Sequence, residues 1–220
     1  MRVKTDARRQ AILDAAAEVF CELGFERASM SAISERVGGS KATLYSYFQS
    51  KQELFVEVML DALAEHAESV FDVLAPTADL RQTLKRFATG YLSLVLLPDV
   101  VAIRRMVFGD CGRSGLGKML YERGPAKAWR QVAEFLKVQM DAGRLRQVEP
   151  LTAALNFKGM LESDLVERRM FGVIEDPSAA DIDKAATDAA DIFLRAYGLE
   201  AQATPADPGQ LQPTDVAKAG

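Results

Sequence analysis

The sequence predicts an all-α protein, and three observations carry that prediction. Apolar side chains recur at helical spacing through most of the 220 residues. No segment shows period-two alternation bounded by hairpin turns. Ser caps and Gly or Pro stops punctuate the chain at intervals that suit helices.

The first helix spans 7 to 23, with Ile12, Ala15, Ala16, Val19, Phe20 and Leu23 on one stripe and Gly24-Phe25 as its stop. Ser29 caps a short helix carrying Ile33 and Val37; Gly38-Gly39 makes a tight turn; Ser40 caps a second short helix holding Leu44 and Phe48. Two short helices across a glycine turn form a helix-turn-helix candidate. Ser50 and Glu53 have capping-box spacing, and one long helix is predicted from 51 to 74, ahead of Pro76. Further helices are predicted at 78–97, 99–110, 115–123, 125–142, 150–171 and 178–197. The predicted segments are a helix-turn-helix head at 1–50, a helical body at 51–198, and a disordered tail at 199–220, where Pro is frequent and large apolar residues are scarce.

A net charge of -4 conceals an asymmetry: residues 1–51 carry eight basic and six acidic side chains, whereas the remainder is acidic. The most apolar window, 91–103, is interrupted by Ser93, Pro98 and Asp99, and the N-terminus lacks a signal-peptide pattern, so a soluble cytoplasmic protein without membrane contact is expected. Cys21 and Cys111 have no metal-ligand spacing and are expected to be reduced packing residues. There is no Gly-rich phosphate loop, no metal-ligand cluster and one His without a nucleophile at motif spacing. An enzyme is therefore not expected, nor is any cofactor or metal.

Lys41 and Lys51 each follow a capping Ser, so each falls in a first helical turn, where the macrodipole disfavours a cation by about 0.3–1 kcal/mol. Bound phosphates would reverse that sign; plain solvation of both lysines is the alternative. With Leu44 and Phe48 inward, Ala42 and Ser46 form a small-residue crown flanked by Thr43, Tyr45 and Tyr47, a shape that can enter a major groove.

Helix one followed by SMSAISERVGGSKATLYSYFQSKQELF (29–55) resembles the N-terminal DNA-binding domain of the TetR family of bacterial transcriptional regulators. Thr43-Leu44-Tyr45-x-x-Phe48-x-x-Lys51-x-x-Leu54 is the most recognisable run, within a resemblance covering 7 to about 56. It implies that Ser29 and Ser31 touch DNA backbone or bases, that Lys41, Ala42 and Thr43 approach base edges beside the Ser40 cap, and that Tyr45, Tyr47 and Lys51 hold phosphates. Gly39 stands where the family usually has a small apolar residue such as valine, which implies a looser turn. The stretch from Met106 to Arg144 resembles the C-terminal domain of the AefR-like branch.

The same resemblance implies double-stranded operator DNA as a partner, a helical body with a cavity for a small-molecule effector, and a homodimer through the helices near 150–171 and 178–197. A ligand-responsive regulator follows, a repressor on a palindromic operator released by a small, mostly apolar effector; an activator or an effector-free dimer is the alternative. Candidate cavity walls are Tyr91, Met106, Trp129, Phe157 and Met160, each of which could equally be core. His66 falls near the apolar stripe of the long helix and joins them, with a structural role as the alternative. Arg104-Arg105 inside VVAIRRMVF should find a carboxylate, Asp99 or Asp110, unless it serves an anionic effector. Two stripes, Ala154, Phe157, Leu161 and Leu165, and Ile182, Ala185, Ala186, Ala189, Ala190, Phe193 and Tyr197, are expected at the dimer contact or in the monomer core.

Overall fold

Ser29, Ser40 and Ser50 each accept a hydrogen bond from the amide three residues on, Ala32, Thr43 and Glu53, so three helices of the head start where their caps put them. The computed structural model describes residues 5–74, 79–110 and 112–199; Cys111, Pro76 and 200–220, the bulk of the expected tail, lie outside them. The described residues form twelve α-helices and no strand, with one lone bridge between Leu145 and Gly198. None of these helices is long and apolar enough to cross a membrane.

The head comprises α1 (Asp6–Arg27), α2 (Met30–Arg36), α3 (Lys41–Tyr47) and α4 (Lys51–Ala62). α1 bends sharply at Gly24, whose φ of +73° is a conformation that side chains other than hydrogen resist. The short stretch beyond it turns Phe25 onto Phe55, which in turn meets Phe20 edge-on, both at 4.9 Å between ring centres. Ile12, Leu13, Ala16, Val19 and Phe20 from α1 close on Ile33, Leu44, Phe48, Leu54, Phe55, Val56 and Val58. Cys21 points away from this stripe and is exposed, which corrects its reading as a packing residue.

The body comprises α5 (Ala64–Asp72), α6 (Leu80–Val95), α7 (Pro98–Asp110), α8 (Leu116–Arg123), α9 (Pro125–Asp141), α10 (Pro150–Glu162), α11 (Leu165–Met170) and α12 (Ala179–Tyr197). Two expected helices are each divided. The 51–74 helix breaks at Leu63, because α4 buries its apolar side in the head while Val70 and Phe71 of α5 pack into the body. The 150–171 helix breaks at Ser163-Asp164. Leu84, Phe87, Leu92, Trp129, Leu136, Phe157, Leu161 and Phe193 make the second core. Ala154, Phe157, Leu161, Leu165, Ala186, Ala189, Ala190 and Phe193 all lie inside this core, so both small-residue stripes close the monomer.

The lysine at the start of α4 has a partner that the sequence did not disclose. Lys51 Nζ donates to the carbonyls of Phe25 (2.7 Å), Ala28 (3.1 Å) and Glu26 (3.2 Å) and lies 4.4 Å from the centre of the Phe25 ring. The ammonium thus neutralises the carbonyl end of α1, and all three of its N–H groups are used. Lys51→Ala is expected to destabilise the fold by about 1–3 kcal/mol, read as a lower urea midpoint at unchanged m-value. A midpoint equal to wild type would show that the carbonyls are as well served by water.

Candidate nucleic-acid interface and effector region

The turn ahead of α3 is braced on two sides. Buried Ser34 donates its hydroxyl to the Gly39 carbonyl at 2.7 Å, and the Gly39 amide returns to the Ser34 carbonyl at 3.1 Å. Arg8 reaches from α1 to the carbonyls of Val37 (3.4 Å) and Gly38 (3.5 Å). A Cβ on Gly39 would lie 2.5 Å from Arg8 Nη2, so the glycine makes room for the guanidinium. The looser turn expected from Gly39 is therefore not what the structure shows: Arg8 fills the space that a small apolar side chain would take.

On α3, Leu44 and Phe48 are buried, and Lys41, Ala42, Tyr45 and Ser46 are exposed. Lys41 has no partner among the described residues, so its charge stands free at the helix start. Ser40 and Thr43 share a hydroxyl hydrogen bond of 2.9 Å beside the cap bond. Ser29, exposed, and Ser31, half-buried, sit at the start of α2. Tyr47 accepts the Thr5 amide at 3.1 Å and is half-buried, which fixes the N-terminal end of α1 beside α3. Ser29, Ser31, Ser40, Lys41, Ala42, Thr43, Tyr45 and Tyr47 thus lie on or beside the two short helices. Lys51 is the exception: its ammonium faces inward onto α1, which leaves no donor for a phosphate.

Charge ties this head to the body. Glu57 of α4 bonds Arg9 of α1 and, at 2.8 Å, Arg123 of α8; Glu53 takes Arg123 at 3.2 Å. The second Glu53 oxygen accepts the Gln49 amide at 2.7 Å, so the expected capping box closes one residue earlier than its spacing predicts. Leu116 of α8 is 2% exposed inside the head core, with Met106, Val107, Met119 and Leu120 packed around that core.

The six candidate cavity residues do not share one site. Tyr91, Trp129 and Phe157 come together around Phe87, with Tyr91 and Trp129 edge-on at 5.1 Å, and all are buried. Met106 belongs to the head side, because α7 runs beneath the head. Met160 lines a groove of about 700 Å³ between α10, α11 and α12. His66 is exposed at the edge of the α5 stripe, whose buried residue is Val70.

Arg104 finds neither Asp99 nor Asp110. Its partner is Glu162 of α10, at 2.6 Å, and the same oxygen accepts the Tyr91 hydroxyl at 2.6 Å while Lys158 bonds the other. Burial pushes the Glu162 carboxyl up, but Arg104, Lys158 and Tyr91 together outweigh it and hold it below the usual carboxylate range. The Tyr91 hydroxyl is driven well above its ordinary value, first by burial and then by Glu162. Arg105 caps α11 through the carbonyls of Arg169 (2.6 Å) and Met170 (3.1 Å). Glu162 and Lys158 went unnoticed in the sequence, although both interrupt an apolar helical segment in the way that Arg104 does.

Residues 12–58 match the family described as bacterial regulatory proteins, tetR family, and residues 82–199 match the AefR-like transcriptional repressor C-terminal domain. The transcriptional activator FasR of Mycolicibacterium smegmatis is 35% identical over 94 residues, 43% of this chain and 43% of its own length. The chain thus spans under half of that relative. The regulator YhgD of Bacillus subtilis is 21% identical over 69% of this chain and 79% of its own. Among solved structures, the flavonoid-responsive regulator FrrA is 31% identical, with a TM-score of 0.72 over 90% of this chain and 100% of its own. A TetR-family regulator from Mesorhizobium loti has the same fold, with a TM-score of 0.75 at 24% identity over 90% of this chain and 100% of its own. With both of its domains matched, the chain belongs to the TetR family of bacterial regulatory proteins, DNA-binding transcriptional regulators and not enzymes, and carries an AefR-like C-terminal domain.

Proposed function

We propose that the protein is a homodimeric repressor that reads a palindromic operator with α3 and is released by a small, mostly apolar effector held in the body. The observation that carries the DNA reading is the exposed face of α3. Lys41, without a partner among the described residues, stands beside the small crown of Ala42 and Ser46, with Tyr45 at its flank, on a helix whose other side is locked into the core. Small side chains let the helix backbone approach base edges, and Lys41 at the helix start supplies a phosphate contact. Ser29, Ser31, Ser40, Thr43, Tyr45 and Tyr47 complete the proposed surface. Action on chromosomal DNA goes with a cytoplasmic location.

The description of the matched C-terminal family as a repressor supports that sign, and FasR, an activator, represents the other. The name of FrrA supports a flat, largely apolar effector. Tyr91, Trp129 and Phe157, packed together inside the body, are the aromatic side chains proposed to receive it. An effector acts only if it prefers one of two arrangements of the heads.

For the dimer, the inner faces of α10 and α12 are committed to the monomer core, so the two-fold contact uses their outer faces. Leu151, Leu155 and Ile192 are 36%, 42% and 45% exposed there, beside the groove between the same helices. Paired copies would bury these residues in a four-helix contact.

Three outcomes are expected. Selection of random duplexes should return a palindrome with half-sites about one helical turn or a multiple apart; only sequence-blind binding would refute the operator reading. Lys41→Ala should weaken binding to all sequences alike and reduce the salt slope by about one, whereas Lys51→Ala leaves that slope unchanged; the reverse pattern would assign the phosphate to Lys51. Sedimentation of the wild type at micromolar concentration should give a dimer, and Leu155→Glu with Ile192→Glu a helical monomer. A wild-type monomer would remove the model.

A further inference from the structure

Among the ion pairs of the described residues, those around Glu162 are the most enclosed: the side chains of Arg104, Lys158 and Glu162 are 24%, 25% and 17% exposed. Their composition is unbalanced. Two cations share one carboxylate, leaving an excess positive charge in a partly desolvated place, where an unmatched charge is costly. The donors are also in excess. Arg104 carries five N–H groups, Lys158 three and Tyr91 one, against the two oxygens of Glu162. Arg104 makes its single bond among the described residues to Glu162, so most of its guanidinium is unused.

The surroundings are apolar on one side. Tyr91 joins the cluster directly to Trp129, Phe87 and Phe157, which form the aromatic interior of the body. On the other side the cluster is open at its rim, as the residual exposure of all three charged side chains shows. A place that presents spare cationic donors at the edge of a packed aromatic cluster fits an organic anion: an apolar body bearing one carboxylate or acidic phenol.

We infer that Arg104, Lys158 and Tyr91 form the polar anchor of the effector site, that the effector is an organic anion, and that Glu162 is the internal anion with which it competes. The inference rests on the effector reading above. The ligand's oxygen takes the free donors of Arg104 and the place of Glu162 on Tyr91, and release of Tyr91 opens the ring wall to the apolar body. The consequence reaches the head through α7: Met106 and Val107, two and three residues beyond Arg104, pack against the head core. A ligand that redraws the Arg104 contact therefore shifts the helix on which the head rests.

The test uses the full-length protein and two acids of different shape, 4-phenylbutyrate and dodecanoate, each against its primary amide. Binding is read by calorimetry, and release by anisotropy of the selected operator. At least one acid should bind ten-fold or more tightly than its amide and release the operator. Arg104→Gln should abolish that preference, and Glu162→Gln, which removes the competitor, should strengthen acid binding several-fold while leaving the amide unchanged. A purely structural cluster would weaken in both variants, and that result overturns the inference, as would a failure of both acids to bind. Amides that bind and release as well as acids would overturn the anion assignment alone and leave the effector reading intact.

Discussion

The core of the head is closed by a side chain from the body, and that contact governs the rest of the structure. Leu116 of α8 is sealed into the same cluster as Leu44 and Phe48, the residues that orient the recognition helix. Around that contact α4 is held from both sides, by Arg9 of α1 and by Arg123 of α8, through Glu57 and Glu53. Each carboxylate is about one-fifth exposed, enclosed enough for the pairing to resist solvent more than a surface salt bridge does. A small domain of short helices buries too little surface to fix its own geometry. Here Leu116 and Arg123 of α8 add to the contacts that fix it, which places α8 in direct contact with the elements that hold α3.

The two lysines that follow capping serines show how one pattern can have two causes. Lys41 has no partner among the described residues and lies on the surface proposed for DNA. Lys51 serves protein instead, because the bend at Gly24 brings three carbonyls within its reach. At Lys51 the unfavourable position at a helix start is offset by the carbonyl end of α1; at Lys41 the offset is the DNA phosphate of the proposed function. Gly39 follows the same logic: what it lacks in side chain is supplied by Arg8 from about thirty residues away.

The local features were legible in the sequence. Caps at Ser29, Ser40 and Ser50, the stop at Gly24 and the stripe of α1 depend on neighbours within a few residues, which spacing reveals. Most of the candidate DNA surface was legible for the same reason, since it follows from which side of α3 holds Leu44 and Phe48. What escaped depends on partners far along the chain. The break at Leu63 arises because α4 and α5 serve different cores, and no Gly or Pro marks it. Arg104 was seen to need a carboxylate, yet Glu162 lies 58 residues on. Met106 and Met160 share their composition with core residues, and only the packing separates the head side from the outer groove.

The central claim is that α8 sets the geometry with which α3 meets DNA. Its most direct test compares Arg123→Gln with wild type for affinity to the selected operator, affinity to random duplex, and thermal stability. If the clamp on α4 sets the head geometry, operator affinity falls about ten-fold or more while random-duplex binding and its salt dependence stay as they are, because no phosphate contact is lost. Unchanged operator affinity, or equal losses on both DNAs in proportion to a fall in stability, would contradict the account.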